Sequence, residues 1–258
     1  MLDPQDERKL NSTPLQSGDA RDNQLLAGLP DTDWQRLAPL LEPVALTAGQ
    51  VLSEAGVLPA AVIFPTTAVV SLLYLTEDGA SSEVAVVGND GVVGVALFMG
   101  GQAMPNRAVV QSAGLAWRLR APALQREVDR GGPLLARLLR DTQALIAQVT
   151  QTAACNRHHS IDQQLCRRLL LGLDRSASAE LALTHEAMSD LLGVRREGVT
   201  AAAQKLRQAG LIAYRRGRIA VLDRARLETH SCECYASAKK EYERLLPARQ
   251  PEAQSALA

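Results

Sequence analysis

The sequence predicts an α+β chain in three parts: an antiparallel β-domain of barrel or jelly-roll type, a long helix, and a C-terminal winged helix-turn-helix. Three observations predict it. Between residues 25 and 119 short apolar runs are punctuated by glycine; after Pro133 apolar residues recur at three- and four-residue spacing; after Gly193 arginines crowd a helix and a hairpin. With 258 residues, 47% of them hydrophobic, the chain is long enough for two cores rather than one.

Residues 1–23 are polar, carry Asp3, Asp6, Glu7, Arg8 and Lys9, and contain no apolar stretch. They cannot serve as a secretory signal, and 1–24 reads as a flexible tail. A short helix is expected at 31–41. Apolar runs at 61–65, 68–75, 84–87 and 115–119 have the length of strands. Thr76, Glu77, Asp78 and Gly79 separate two of these runs, and Gly88, Asn89, Asp90 and Gly91 close another. Both clusters are expected to supply the positive-φ residues of tight connections. Because no long helices alternate with these strands, the β-domain (25–130) is antiparallel.

In the next segment, 131–157, Leu135, Leu138, Thr142, Leu145, Val149, Thr152 and Asn156 fall on an a/d seam. The seam predicts a helix that pairs two copies of the chain, and packing on the β-domain is the alternative reading. Thr142, Thr152 and Asn156 are polar positions on it, suited to fixing register or touching a ligand. A further helix at 160–173 ends where 174–178 turns small and polar.

A helix at 183–192 is capped by Thr184 and stopped by Gly193. A second, at 196–208, turns Val199, Ala203 and Leu206 inward and Arg195, Arg196, Glu197, Thr200 and Gln204 outward. That is a helix-turn-helix with a glycine turn. The runs 211–214 and 219–222, joined by Arg215, Arg216, Gly217 and Arg218, form a hairpin wing. From Gly193 to Arg226 nine basic residues, Arg195, Arg196, Lys205, Arg207, Arg215, Arg216, Arg218, Arg224 and Arg226, face two acids, Glu197 and Asp223, a local net of +7 in a chain whose formal charge is +0. Whole-chain charge says nothing about the partner; this local excess predicts double-stranded DNA. The expected contacts are Thr184, His185, Arg195, Arg196, Glu197, Thr200, Gln204 and Lys205 on the helices and Arg215, Arg216 and Arg218 on the wing. Arginines opening the second helix reach base edges, and wing arginines hold phosphates.

These same residues carry a resemblance. The run from Leu183 through Thr184, His185, Glu186, Ala187, Met188, Ser189, Asp190, Leu191 and Leu192 to Gly193, followed by Arg196, Glu197, Gly198, Val199 and Thr200, resembles the Crp/Fnr family of transcription regulators. The resemblance spans about 25–235. It implies a β-roll sensor of the cyclic-nucleotide-binding-like type (a double-stranded β-helix), a dimer helix, and a winged helix at 158–235 reading two-fold symmetric DNA, with 236–258 left as a C-terminal tail. It also implies contact with RNA polymerase. Arg196 and Glu197 match the family's Arg-Glu pair, which reads a G·C-containing half-site. A further arginine usual five residues after the first is Ala201 here, so the preferred sequence is expected to differ.

The cyclic-nucleotide pattern is not met. Val95 stands where the ribose-binding glutamate would be, and Arg107, between Asn106 and Ala108, is out of register with the phosphate-binding pair. Gly94, Val95, Ala96, Asn106, Arg107, Ala108 and Thr142 outline the expected pocket of an effector left unnamed. A valine offers no acceptor to a ribose hydroxyl, so classical cyclic-AMP dependence is not expected. No cysteine precedes Cys155, which excludes the family's N-terminal iron–sulfur sensor.

Cys155, Cys166, Cys232 and Cys234 are too sparse for a disulfide scaffold and read as reduced thiols. His230, Cys232 and Cys234 bring three soft ligands into five residues, enough for zinc or copper only if a fourth arrived. The reading adopted is small packing thiols with no metal site, and His158 and His159 are given a hinge or surface role. No hydrolase elbow, phosphate loop, metalloprotease helix or dinucleotide fingerprint occurs, so catalysis is not expected. No apolar run reaches the ~18 residues of a membrane span, so a cytoplasmic protein with no membrane partner is expected. Two alternatives stay open: a β-domain whose winged helix serves protein contacts, and an effector-independent regulator.

Overall fold

The computed structural model describes residues 18–101, 103–176, 180–215 and 217–247. The expected tail already packs within this range. Asn23, fully buried, accepts the Leu25 and Leu26 N–H groups and donates to the Pro65 and Gly91 carbonyls at 2.9 Å each. Its amide is satisfied by backbone from two distant loops, which a linear reading of polarity cannot see. Residues 1–17 lie outside the described residues.

Asn23 caps α1 (Gln24–Ala27), and α2 (Asp31–Leu37) continues into a 3-10 turn, Ala38–Leu40. Seven strands follow: β1 (Glu42–Leu46), β2 (Val51–Ser53), β3 (Ala61–Pro65), β4 (Val69–Leu75), β5 (Ser81–Val87), β6 (Arg107–Ser112) and β7 (Gly114–Arg120). They form two antiparallel sheets, ordered β1-β7-β3 and β2-β6-β4-β5. Pro43 and Pro65 sit in β1 and β3, the two edges of the first sheet, where a missing donor is tolerated. The expected antiparallel β-roll is therefore present.

Gly79 takes φ 86° in the β4–β5 turn, as its cluster predicts. Gly88 and Gly91 do not adopt positive φ. They are small because other residues press on them: a Cβ on Gly88 would lie 2.5 Å from the Arg175 Cβ, and one on Gly91 would lie 2.9 Å from an Asp141 carboxylate oxygen.

Helix α3 (Ala121–Arg130) leads through Gly131 and Gly132 to α4 (Pro133–His158), which Pro133 opens at its first turn. At its far end His159 leaves helical geometry and Ser160 caps α5 (Ile161–Asp174), exchanging bonds with Gln163 in a capping box. Then come β8 (Glu180–Leu181), α6 (His185–Leu192), α7 (Arg196–Gln208), β9 (Ile212–Arg215), β10 (Arg218–Val221), α8 (Arg224–His230) and α9 (Glu233–Leu245). Much of the expected C-terminal tail is thus helix. Helix α9 returns along α4, and Leu245 and Leu246 are buried in the same core as Leu138. Residues 248–258 lie outside the described residues.

The β-domain and the C-terminal helices share a buried seam. Arg168 of α5, 2% exposed, donates to the Glu83 carboxylate of β5 at 2.9 Å, and Ser71 of β4 donates to the same carboxylate at 2.5 Å. Val69 and Val86 pack into the core of Leu165, Leu169, Met188 and Leu206. Among the described residues no helix is long and apolar enough to cross a membrane.

Candidate nucleic-acid interface

Helix α6 begins where the Thr184 hydroxyl accepts the Ala187 N–H at 3.0 Å, and ends at Gly193, whose φ of 64° places it in the left-handed region. Three residues later, at Arg196, α7 starts. Its inner face, Val199, Ala202, Ala203 and Leu206, is buried against α5 and α6. The opposite face presents Arg195, Arg196, Glu197, Thr200 and Gln204, all exposed as predicted. Arg196, Glu197, Thr200, Ala201 and Gln204 line one surface depression. Among the described residues, no carboxylate lies within ion-pair distance of Arg195 or Arg196. These guanidinium groups stand in water with their donors unspent.

His185 is half-buried at the crossing of α6 and α7. Its ring stands edge-on to Tyr214 of β9, with centroids 4.5 Å apart, and Nδ1 lies 3.2 Å from the Thr200 hydroxyl. Thr200 spends its own proton on the Arg196 carbonyl at 2.9 Å, so the imidazole is the donor to Thr200. Burial, aided by the Arg196 charge, lowers the His185 pKa and favours the neutral ring. Tyr214 in turn donates to the Leu183 carbonyl at 2.8 Å. This brace ties the wing to both helices of the motif, and sequence reading missed it because Tyr214 looked like one more apolar strand residue.

In the wing, Arg215 and Arg218 face each other across the β9–β10 ladder, and Gly217 turns the hairpin at φ 78°. Like charges placed directly opposite disfavour the hairpin unless an anion lies between or beyond them. Arg218 has Glu180 at 3.8 Å. Arg216 lies outside the described residues. Two other basic residues are committed within the chain. Lys205 holds the Asp162 carboxylate at 2.9 Å, and Arg224 is bonded by Asp174, Glu228 and Tyr235. Lys205, expected to contact DNA, is thus paired in the free chain with the acid in the first turn of α5.

The residues expected to outline an effector pocket have partners within the protein. Val95 and Ala96 are buried in protein core, Ala108 packs with Val70 and Leu72, Arg107 pairs with Glu54 at 2.7 Å, and the Thr142 hydroxyl bonds back to the Leu138 carbonyl at 3.0 Å. Gly94 (φ 106°) opens a 3-10 turn, and Asn106 is buried beside β6. A cavity of about 600 Å³ lies elsewhere, between β5, α4, α5 and α9, lined by Asp90, Asp141, Arg175, Lys239 and Tyr242 among others. Burial, with the Asp90 charge adding to it, raises the Asp141 carboxyl well above its ordinary range, while Arg175 holds Asp90 at 2.6 Å.

The a/d seam divides. Leu138, Thr142 and Thr152 are buried within the chain, and Leu145 packs on the β-domain core. The large apolar residues left exposed on α4 are Leu139 (47%), Ile146 (59%) and Val149 (37%), with Leu135 half-covered beside them. Leu135 and Val149 of the predicted seam face outward and Leu139 and Ile146 join them, while Leu138, Thr142 and Leu145 turn inward because the helix spends that face on the β-domain and α9.

Residues 163–230 match the model of the Crp-like helix-turn-helix domain. No curated protein matches the chain. Its fold is similar to that of a Crp/Fnr-family transcriptional regulator from Eubacterium rectale, at 17% identity over 80% of this chain and 96% of that one, TM-score 0.63. It is also similar to a CRP-family transcriptional regulator from Thermus thermophilus, at 21% identity over 74% and 96%, TM-score 0.61. FixK2 from Bradyrhizobium japonicum aligns at 17% identity over 74% and 98%, TM-score 0.61. Residues 163–230 thus form a Crp-like helix-turn-helix domain, carried on a chain whose fold is similar to that of Crp/Fnr-family transcriptional regulators.

Proposed function

We propose that the protein binds a two-fold symmetric site on double-stranded DNA as a homodimer. The observation that carries this reading is the pair Arg195 and Arg196, exposed at the start of α7 with no carboxylate in reach among the described residues. In the major groove, Arg196, Glu197, Thr200 and Gln204 meet base edges, and Arg195, Arg215 and Arg218 meet phosphates. Thr184 and His185 position α7 at the groove wall. The exposed stripe Leu135, Leu139, Ile146 and Val149 pairs α4 with its copy, setting two recognition helices ~34 Å apart. Contact with RNA polymerase and a cytoplasmic location belong to the same reading.

In this reading the chain divides into a β-roll from Ala20 to Arg130, α4 as the dimer helix and a winged helix over 160–230, with α9 folding back as a strap. Val95, whose side chain offers no acceptor to a ribose hydroxyl, supports a β-roll that holds no cyclic nucleotide there. The test is selection from a random duplex library with wild-type protein and with Arg196→Ala at equal salt. The reading expects an inverted repeat that the variant fails to enrich; an unstructured pool from both proteins would overturn it.

A further inference from the structure

Four side chains far apart in sequence converge where α4 ends and α9 begins. Cys155 lies in the last turn of α4, and His159, four residues on and thus on the same helical face, is its C-cap. Cys232 is the N-cap of α9, and Cys234 lies in its first turn. Their ligand atoms all fall within 4.8 Å of one another. The Cys155 and Cys232 sulfurs are 3.5 Å apart, and the Cys234 sulfur is 3.5 Å from His159 Nδ1.

We propose that Cys155, His159, Cys232 and Cys234 form a mononuclear tetrahedral site for a soft divalent cation of the zinc class, clamping the start of α9 to the end of α4. Zinc–sulfur bonds of ~2.3 Å and zinc–nitrogen bonds of ~2.0–2.1 Å put tetrahedral edges at roughly 3.8 Å between sulfurs and roughly 3.6 Å between sulfur and nitrogen. The Cys155–Cys232 and Cys234–His159 spacings lie within about 0.3 Å of those edges, and all the spacings are within 4.8 Å. A multi-iron cluster, whose ligands bind separate irons, would hold them farther apart.

Two surrounding groups fit the ion as well. His159 Nε2 lies 3.3 Å from the Glu233 carboxylate, so with Nδ1 on the metal the outer N–H has its acceptor, the arrangement that orients metal-bound histidines. Arg167, 3% exposed, makes one side-chain hydrogen bond, to Thr152 at 3.2 Å, and leaves Nε without a partner. Among the described residues it has no carboxylate, yet it lies close enough to Cys155 to act on its charge. Three thiolates around a divalent ion leave one net negative charge, and Arg167 supplies one positive. Binding releases three thiol protons to solvent. The three cysteines are all buried and form a packing cluster of their own, so the ion would be closed off from water on the sulfur side.

The sequence reading set Cys232 and Cys234 beside His230 and lacked a fourth ligand. In the fold His230 turns away, its Nδ1 on the Arg226 carbonyl at 2.8 Å, and Cys155 and His159 take its place.

The test uses the full chain, purified under reductant and without oxygen, analysed by elemental mass spectrometry and by replacement with Co2+. The expected result is about one zinc per chain, and a cobalt form with the intense visible bands and near-ultraviolet charge transfer of a tetrahedral, sulfur-rich site. Cys234→Ser abolishes both signals, whereas Cys166→Ser, a buried thiol outside the cluster, keeps them. Glu233→Gln, exposed and foldable, weakens zinc against a competing chelator by roughly 10–100-fold. Substoichiometric metal in protein with all thiols free, a pale octahedral cobalt spectrum, iron with sulfide in place of zinc, or a Cys155–Cys232 disulfide in the purified chain would each overturn the proposal.

Discussion

In the β-domain and its seam, arginines are spent inside the molecule: Arg107 on Glu54, Arg118 and Arg120 together on Glu42, Arg168 on Glu83, and Arg175 on Asp90. On the winged helix, Arg195, Arg196 and Arg215 meet no carboxylate among the described residues, and Arg218 meets one only at 3.8 Å. Arginines with partners hold a fold together, and exposed arginines without them are available to an external polyanion. A charge tally along the sequence cannot separate the two, since it counts Lys205 and Arg224 with the free set although Asp162, Asp174 and Glu228 already hold them.

The sharpest way to break this contrast is to strip a committed arginine of its partner. Glu83→Ala leaves the Arg168 guanidinium buried and unpaired and is expected to cost about 3–5 kcal/mol in denaturant unfolding. The free set responds differently: Arg196→Ala lowers the preference for the selected site by roughly 5–150-fold in a binding titration, with the unfolding midpoint unchanged. Ile146→Glu places a charge in the exposed stripe of α4 and is expected to shift sedimentation from dimer to monomer. Lys205→Ala is expected to change DNA affinity less than about twofold, because Asp162 already neutralises that ammonium.

The smallest effect concerns pH. The folded chain holds the His185 pKa below its ordinary value, so at high pH folded and unfolded states are both neutral there and the residue is silent. As pH falls through the ordinary histidine value of about 6.5, the unfolded state takes up the proton first and stability drops, until the folded ring also titrates. Thermal melts of wild type and His185→Asn are expected to converge below that pH relative to their separation above it.

The winged helix was legible because its parts are local: Thr184 caps, Gly193 turns, and Val199, Ala203 and Leu206 repeat at helical spacing within a few residues of one another. Strands β3, β4, β5 and β7 were legible from their apolar runs. Strand β6, which mixes Arg107 and Gln111 with Val109 and Val110, carried no such run. The polarity of residues 233–245 hid α9, whose few apolar positions suffice because α4 offers a complementary groove. On α4 the periodicity was correct but its partner was ambiguous: the heptad cannot say which of two adjacent stripes meets the β-domain and which faces outward. At Val95 the motif position follows from local spacing, whereas the side chains that share its core, such as Leu25, Phe64 and Leu119, come from distant segments. The cysteine–histidine cluster lies wholly in such long-range placement.

The α7 face is expected to read bases while the wing holds phosphates. This division is tested most directly by measuring affinities for a selected duplex and a scrambled one over a range of salt, with wild type, Arg196→Ala and Arg218→Ala. Arg196→Ala is expected to collapse the ratio between the two duplexes, and Arg218→Ala to keep the ratio while reducing the salt slope by about 1 for each copy of the wing. Equal losses on both duplexes from both variants would contradict this division.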